Sequence, residues 1–395
     1  MGGKIKAICY QKIEQWQAVA GQSMAGVIKQ TYETYKTSPD PGPSGLKPSI
    51  MLKRSIPSLR SAFLSLLALV CVLCSIDGAC ASTAMRFSLD RAIDGAAAPF
   101  VVASVKDLFR AEDLAVTIDS ANGSEDAIAR VASGASDMAL ADINALIRYR
   151  DKENAPPIKA VFVLYNKAPY AMVARKSRGI KTMTDLEGKT VGLVDGDLAV
   201  RLWPAVAHRN QIDLSKVKAE KINAAVREPM LSAGQLDAVT GFSFLSALNL
   251  RDRGVPANDL TVLRFADFGC LVYGHALIVN PAFAAKNPDA VKAFLRATLS
   301  GVRQTVKNPE HAIEMVMAQM NTGSRDIELE RLQASIHDNI VTNEVKQNGL
   351  GGIEVHRFEA AMDQIAEGYD FRKRPSATDI FDESFLPPAA DRKID

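Results

Sequence analysis

The chain has 395 residues, 47% hydrophobic and 23% charged, with a formal net charge of +2. That length accommodates two domains, and the balance is that of a globular protein. Near-neutral charge, with no basic stripe interleaved with aromatic residues, leaves no footprint for DNA or RNA, so nucleic acid is not expected as a partner.

Residues 1–50 end in "TSPDPGPSGLKPS", a Pro/Gly/Ser-rich stretch that reads as disordered. From Met51 the chain runs "MLKRSIPSLRSAFLSLLALVCVLCSIDGACAS". Lys53, Arg54 and Arg60 are positive, Ala62 to Cys74 is apolar but short for a bilayer, and Ala79-Cys80-Ala81 is a small-x-small cleavage site. The order predicts a signal peptide over 51–81, cleaved near Ala81, with Met51 as the true start and 1–50 as an upstream extension. A lipoprotein reading fits poorly, because Asp77 stands where an apolar residue is needed ahead of Cys80. Export through the signal predicts a periplasmic protein. Only Cys270 lies beyond the predicted cleavage point, so neither a disulfide nor a thiolate metal cluster is expected.

Beyond the signal, strands and helices alternate, which predicts an α/β architecture with mostly parallel sheets. "MRFSLD" reads as a strand, and a helix follows from about Phe100 to Arg110. "LAVTIDSA" is a second strand, "SEDAIARVASG" a helix closed by Gly134, and "SDMALAD" a third strand leading into "INALIRYRDKE". "KAVFVLYN" and "PYAMVAR" read as two more strands. A second unit opens at "GIKTMTDLEGKTVGLVDGD", continues through "KVKAEKIN", "AVREPMLSAG" and "LDAVTGF", and closes near "LTVLRFADFG". "LVYGHALIVN" is again a strand. Helices alone follow, over about 287–340 and 358–367, before a Pro-rich tail that reads as an irregular wrap.

The pieces "FVVASVKDLFRAEDLAVTI", "NGSEDAIARVASGASDMALAD", "GIKTMTDLEGKTVGLVDGD" and "LSAGQLDAVTGF" come in an order that resembles a known family. It is that of the periplasmic solute-binding proteins of ABC importers, in the branch of sulfonate, taurine, nitrate and thiamine-pyrimidine-precursor binders. The resemblance covers roughly 85–300 and implies an α/β, two-lobed periplasmic-binding-protein fold of type II with two crossover strands. The first lobe would hold 82–175 and 271–395, and the second 176–270. A small-molecule solute would sit between the lobes, hinge closure would bury it, and a monomer would deliver it to an ABC permease in the inner membrane. No catalysis, cofactor or metal is implied.

In such sheets the ligand crevice lies beyond the carboxyl ends of the strands. After the first strand, "RAIDGAAAPF" offers Asp94 and Phe100 beside small residues that permit close approach. Ser124, after the second strand, and Asp142, after the third, each read as a helix cap or a ligand contact. Tyr165 and Asn166 end "VFVLYN", and with Phe242 and Tyr273 supply rings and an amide for a flat solute. In "GLVDGDLAVRLWPA" the strand end is followed by Asp195 and Asp197, which would repel an anion in a desolvated cleft. Asp197 also fits a cap for the helix from Leu198, which leaves Asp195 as an acceptor, while Arg201 is placed to neutralise the pair. Asn223, Glu228 and Asp267 complete the candidate set. Its acidic excess favours a flat, nitrogen-containing, neutral or cationic solute.

Three rivals are retained. An anionic solute, a sulfonate, nitrate or aromatic acid, would use Arg201 or Arg227. A sensor subunit would bind solute without transport. An enzyme on the same fold, pyrimidine-synthase-like or menaquinone-pathway-like, would need ligating or catalytic groups, and His208, His275, His311, His337 and His356 are scattered without ligand spacing.

Overall fold

A computed structural model describes residues 82–394 apart from Asp195, so the expected extension over 1–50, the expected signal over 51–81 and its expected cleavage point lie outside the described residues. The strands, in chain order, are β1 (Thr83–Leu89), β2 (Leu114–Ser120), β3 (Met138–Asp142), β4 (Lys159–Val163), β5 (Tyr170–Arg175), β6 (Thr190–Val194), β7 (Lys218–Ile222), β8 (Ala238–Phe242), β9 (Leu260–Arg264) and β10 (His275–Val279). They form two five-stranded sheets, ordered β2-β1-β3-β10-β4 and β7-β6-β8-β5-β9. In the first, β1 runs parallel to β2 and β3, and β10 lies antiparallel between β3 and β4. The second repeats the pattern: β6 is parallel to β7 and β8, and β5 lies antiparallel between β8 and β9. Every residue of β3 and β10 is buried, as expected of strands covered on both faces.

Each lobe therefore contains one reversed strand that arrives by a crossover from the other lobe. The crossovers are 164–169, between β4 and β5, and 265–274, between β9 and β10. This corrects the boundary expected at residue 175, because β5 pairs only with strands of the second sheet. The reason is backbone satisfaction: a strand re-entering after a crossover runs in reverse, and the gap between β8 and β9 pairs both its edges.

The helices surrounding the sheets are α1 (Ala98–Val105), α2 (Ser124–Ser133), α3 (Ile143–Arg150), α4 (Leu198–Arg209), α5 (Arg227–Ser232) and α6 (Ser243–Asp252). After β10 come α7 (Pro281–Lys286), α8 (Pro288–Lys307), α9 (Pro309–Met317), α10 (Arg325–Ser335), α11 (Asn343–Asn348), α12 (Val355–Ala366) and α13 (Ala377–Ile380). In α8, Val291, Phe294, Leu295, Thr298, Leu299 and Val302 recur at helical spacing and are buried against α1 and the first sheet. Phe100 belongs to this core, fully buried, with its ring 4.9 Å from that of Phe87. Burying such a side chain contributes about 1.5–3 kcal/mol. The C-terminal tail returns to the first sheet, where Phe381 bridges Ala160 and covers the open edge of β4.

One apolar cluster is continuous between the lobes. It joins Ala139 and Ile278 of the first sheet, Tyr170 and Ala238 of the second, Trp203 of α4, and Phe358 and Met362 of α12. Among the described residues no helix is long and apolar enough to cross a membrane. Cys270 is buried and unbridged, and burial pushes its thiol up to about 11.

Candidate functional site

The carboxyl ends of β1, β3, β6 and β8 converge where the crossovers join the two sheets. Immediately after β1, Arg91 grips Asp90 with two guanidinium nitrogens, Nη2 donating to Oδ2 at 2.6 Å and Nε to Oδ1 at 3.2 Å. His275, the first residue of β10, places Nε2 2.8 Å from the same Asp90 Oδ2. Its other ring nitrogen, Nδ1, is buried with no partner among the described residues. Burial pushes the Asp90 carboxyl up, but Arg91 and His275 outweigh it and hold the group well below the usual carboxylate range.

The Arg91 guanidinium also lies 5.1 Å from the ring centre of Phe242 and 5.9 Å from that of Phe244. Arg91 belongs to the first lobe and both rings to the second, so this cation–π contact spans the lobes. Tyr165, Tyr170 and His275 complete an aromatic cluster, with Tyr165 5.0 Å from His275 and Phe242 edge-on to His275 at 5.7 Å. The Tyr165 side chain is buried, yet its hydroxyl makes no hydrogen bond among the described residues. Asp94 accepts from the Ala96 amide with Oδ1, and its other oxygen is 4.0 Å from Arg331 Nε. Burial raises its pKa, against Arg91 and Arg331.

A second polar cluster forms at the end of β3. Asp142 Oδ1 accepts from the Asn144 amide at 2.8 Å, which caps α3, while Oδ2 accepts from the Tyr170 hydroxyl of the other lobe. Asn144 Nδ2 also donates to the Tyr273 carbonyl at 2.7 Å. Ser124 does not cap α2: Gly123, at φ 97°, holds that position, and the Ser124 hydroxyl accepts from the Asp142 amide at 3.0 Å. A capping oxygen needs the extended position just ahead of the helix, and Ser124 is already its first residue.

In the second lobe, Asp197 caps α4 by accepting from the Ala199 amide at 3.0 Å. Burial raises its pKa; the cap and Arg227 oppose, and the charge of Asp142 adds to the rise. The neutralising arginine is Arg227, 3.7 Å from Asp197 and 2.8 Å from the buried Glu228, rather than Arg201. Arg201 is exposed. Burial, and then the like charge of Arg201, lowers the pKa of Arg148 in α3. Asp195 lies outside the described residues.

Five expected contacts sit elsewhere. Phe100 packs inside the first lobe, as described above. Asn223 caps an exposed turn through the Ala225 amide, and Asp267 is half-exposed and paired with Arg264 at 2.8 Å. Asn166 and Tyr273 are tied into the crossovers: Asn166 Nδ2 and the Tyr273 hydroxyl both donate to Glu344 Oε1, at 2.8 and 3.0 Å. Their polar atoms have partners in the chain because each crossover must satisfy its own backbone and side chains. Asp90, Arg91, Tyr170, Phe244 and His275 stand in the site without having been expected there. The available signal was an acid–base dipeptide directly at a strand's carboxyl end.

Among the described residues no three His, Cys, Asp or Glu side chains group to hold a metal ion. Two surface cavities, of about 450 and 380 Å³, are lined by residues such as Arg150 and Arg372, or Arg296 and Arg303, and by none of the candidate site residues.

A family model described as "NMT1/THI5 like" matches residues 95–312, more than half of the chain. The riboflavin-binding protein RibY of Chloroflexus aurantiacus is 27% identical over 249 residues, covering 60% of this chain and 68% of that protein. The 4-amino-5-hydroxymethyl-2-methylpyrimidine phosphate synthase of Legionella pneumophila is 26% identical over 219 residues, covering 55% and 68%. Among solved structures, the alkanesulfonate-binding protein SsuA of Xanthomonas axonopodis pv. citri, bound to MOPS, superposes with a TM-score of 0.57 at 15% identity, over 76% of this chain and 98% of that one. At that identity the likeness establishes the shared fold, that of the periplasmic binding proteins.

Proposed function

The chain belongs to the NMT1/THI5-like family, and on that premise we propose that it is an extracytoplasmic solute-binding protein of an ABC importer. In this reading it captures a flat, nitrogen-containing, neutral or cationic organic solute between its lobes and passes it to a membrane permease, with no chemical step. The observation that carries the reading is the buried Asp142 of the first lobe, bonded to the Tyr170 hydroxyl of the second lobe beside the Phe242 and Phe244 rings, with the charge of Asp142 acting on Asp197. Two buried carboxylates that repel each other are stabilised by a positive or donor-rich group placed between them, and the rings supply a flat apolar wall. The signal over 51–81 supports export. Asp94, Tyr165 and Arg91 would line the far end of the same cleft.

Two rival readings each have one supporting observation. An anionic solute is supported by Arg148 and Arg201, one from each lobe, since the charge of Arg201 adds to the burial that lowers the pKa of Arg148. An enzyme on this fold is supported by the name of the Legionella relative and by the Asp90–His275 pair with its unpartnered ring nitrogen.

The test is a melting-temperature screen of the chain with aminopyrimidines, flavins and amines in one arm, and taurine, alkylsulfonates, nitrate and aromatic acids in the other. A ligand of the native state adds about 2.7 kcal/mol of stability at a hundredfold excess over its dissociation constant. A shift in the first arm, abolished by Asp142→Asn, is the expected result. A shift confined to the second arm, abolished by Arg148→Gln, overturns the cationic reading. Conversion of the stabilising compound during incubation, read by mass spectrometry, would establish the enzyme.

A further inference from the structure

Both crossovers are held by a single side chain that stands outside the cleft. Arg357, in α12, has every guanidinium N–H directed to an acceptor. Nε donates to the Leu271 carbonyl at 2.8 Å, and Nη2 to the Asn166 carbonyl at 2.6 Å and the Val272 carbonyl at 3.4 Å. Nη1 donates to Asn166 Oδ1 at 3.1 Å and Glu344 Oε2 at 2.8 Å. The flat guanidinium also lies 3.9 Å from the ring centre of Tyr273. Asn166 belongs to the first crossover, and Leu271, Val272 and Tyr273 to the second.

The lock is continued on either side. Glu344 Oε1 accepts from Asn166 Nδ2 and from the Tyr273 hydroxyl, and that hydroxyl accepts from the Glu354 amide at 2.8 Å. The crossovers pair directly as well, the Gly274 amide donating to the Tyr165 carbonyl and the Tyr165 amide to the His275 carbonyl. Tyr165 adjoins Asn166 and His275 lies two residues beyond Tyr273, and both side chains belong to the buried aromatic cluster described above.

We propose that Arg357 is the positioning residue of the inter-lobe hinge. It fastens the two crossovers to each other and to the C-terminal helices, so that the lobes turn about one fixed strut while Tyr165 and His275 keep their places. Its functional meaning rests on the solute-binding reading, since only moving lobes need a fixed hinge. A planar fork suits such a strut, because it gathers three backbone carbonyls from two segments in one plane, which an ammonium cannot do.

Hydrogen exchange on the full solute-free chain tests it, together with small-angle scattering. In Arg357→Met the amides of Leu164, Tyr165 and Gly274 are expected to exchange at least about tenfold faster, while those of Leu140 and Leu277 inside the first sheet keep their protection. The radius of gyration should rise as the lobes lose their fixed separation. Arg357→Lys should give an intermediate result. Should Arg357→Met fail to fold, Arg357→Lys and Tyr273→Phe, which removes only the hydroxyl, carry the same comparison. Wild-type protection at the crossovers, or equal acceleration at every amide, overturns the proposal. No solute is present, so failure of the solute screen leaves this result standing, and the reverse also holds.

Discussion

Asp197 and Asp90 are both buried carboxylates at strand ends, and their surroundings treat them oppositely. Asp197 has a folded-state pKa above its unfolded value, so the native state holds the extra proton and stability falls as pH rises through that interval. Asparagine caps a helix about as well as aspartate. Asp197→Asn is therefore expected to melt higher than the parent near neutral pH, with the advantage fading below the ordinary carboxylate range, where both states of the parent are protonated. Melting curves between pH 3 and 8 check this. Asp90 has the reverse sign, its folded pKa lying below the unfolded value. Its stabilisation is present above the unfolded pKa and is lost as pH falls through the folded one. Asp90→Asn strands Arg91 and His275 and should cost about 3 kcal/mol at neutral pH, within the range for a buried pair losing one partner, with the difference from the parent shrinking in acid. Denaturant titrations at two pH values measure it. Of these two residues the sequence marks only Asp197, because a cap ahead of a helix is a local pattern. Asp90 has one partner beside it, Arg91, visible as an acid–base dipeptide at the strand end, but its second partner, His275, comes from 185 residues away, and no local pattern announces that.

Among the elements, α10 links the cleft loop of the first lobe to the second lobe. Glu328 accepts from the Gly95 amide at 2.7 Å and pairs with Arg331 at 2.9 Å, and Arg331 donates to the Phe244 carbonyl at 3.2 Å. The second contact between α10 and that lobe joins Glu330 to Arg251 of α6. A Cβ on Gly95 would stand 2.1 Å from the Glu328 carbonyl oxygen, a backbone atom that cannot rotate aside. Gly95→Ala should therefore displace α10 and cost about 1–3 kcal/mol, as overpacked cores do, read as a lower denaturant midpoint. The existence of α8 and α12 was legible, since their apolar residues recur at helical spacing, whereas α10 buries a mostly polar face of Glu328, Arg331, Leu332 and Ser335. Where these helices dock was not legible. A periodic stripe states that a helix face is buried, and it carries no information about which lobe buries it. The same blindness placed β5 in the wrong lobe, because β4 and β5 read as adjacent apolar strands with nothing between them to mark a crossover.

At the largest scale, the described residues form two similar sheets that exchange one strand each, with a C-terminal helical layer bracing the exchange. Under the proposed solute-binding role, lobe closure would use that plan, with a few crossover residues absorbing the motion. Composition and strand–helix alternation were enough for the α/β class, because it depends on local propensity and on period, while the two lobes and the family were legible through the resemblance carried by the motifs from about 85 to 300. Asp142 and Asp197 were also legible, since a strand followed at once by a helix marks a crevice. The use of each side chain was decided later, by the packing of distant segments. Tyr273 and Asn166 became hinge groups when Arg357 and Glu344 arrived from the C-terminal helices, and Phe100 became core when α8 packed on α1. Asp142 met Asp197 only when the crossovers brought the lobes together. Partners far apart in sequence are chosen by packing, and a polar side chain's role is set by the partner it finds.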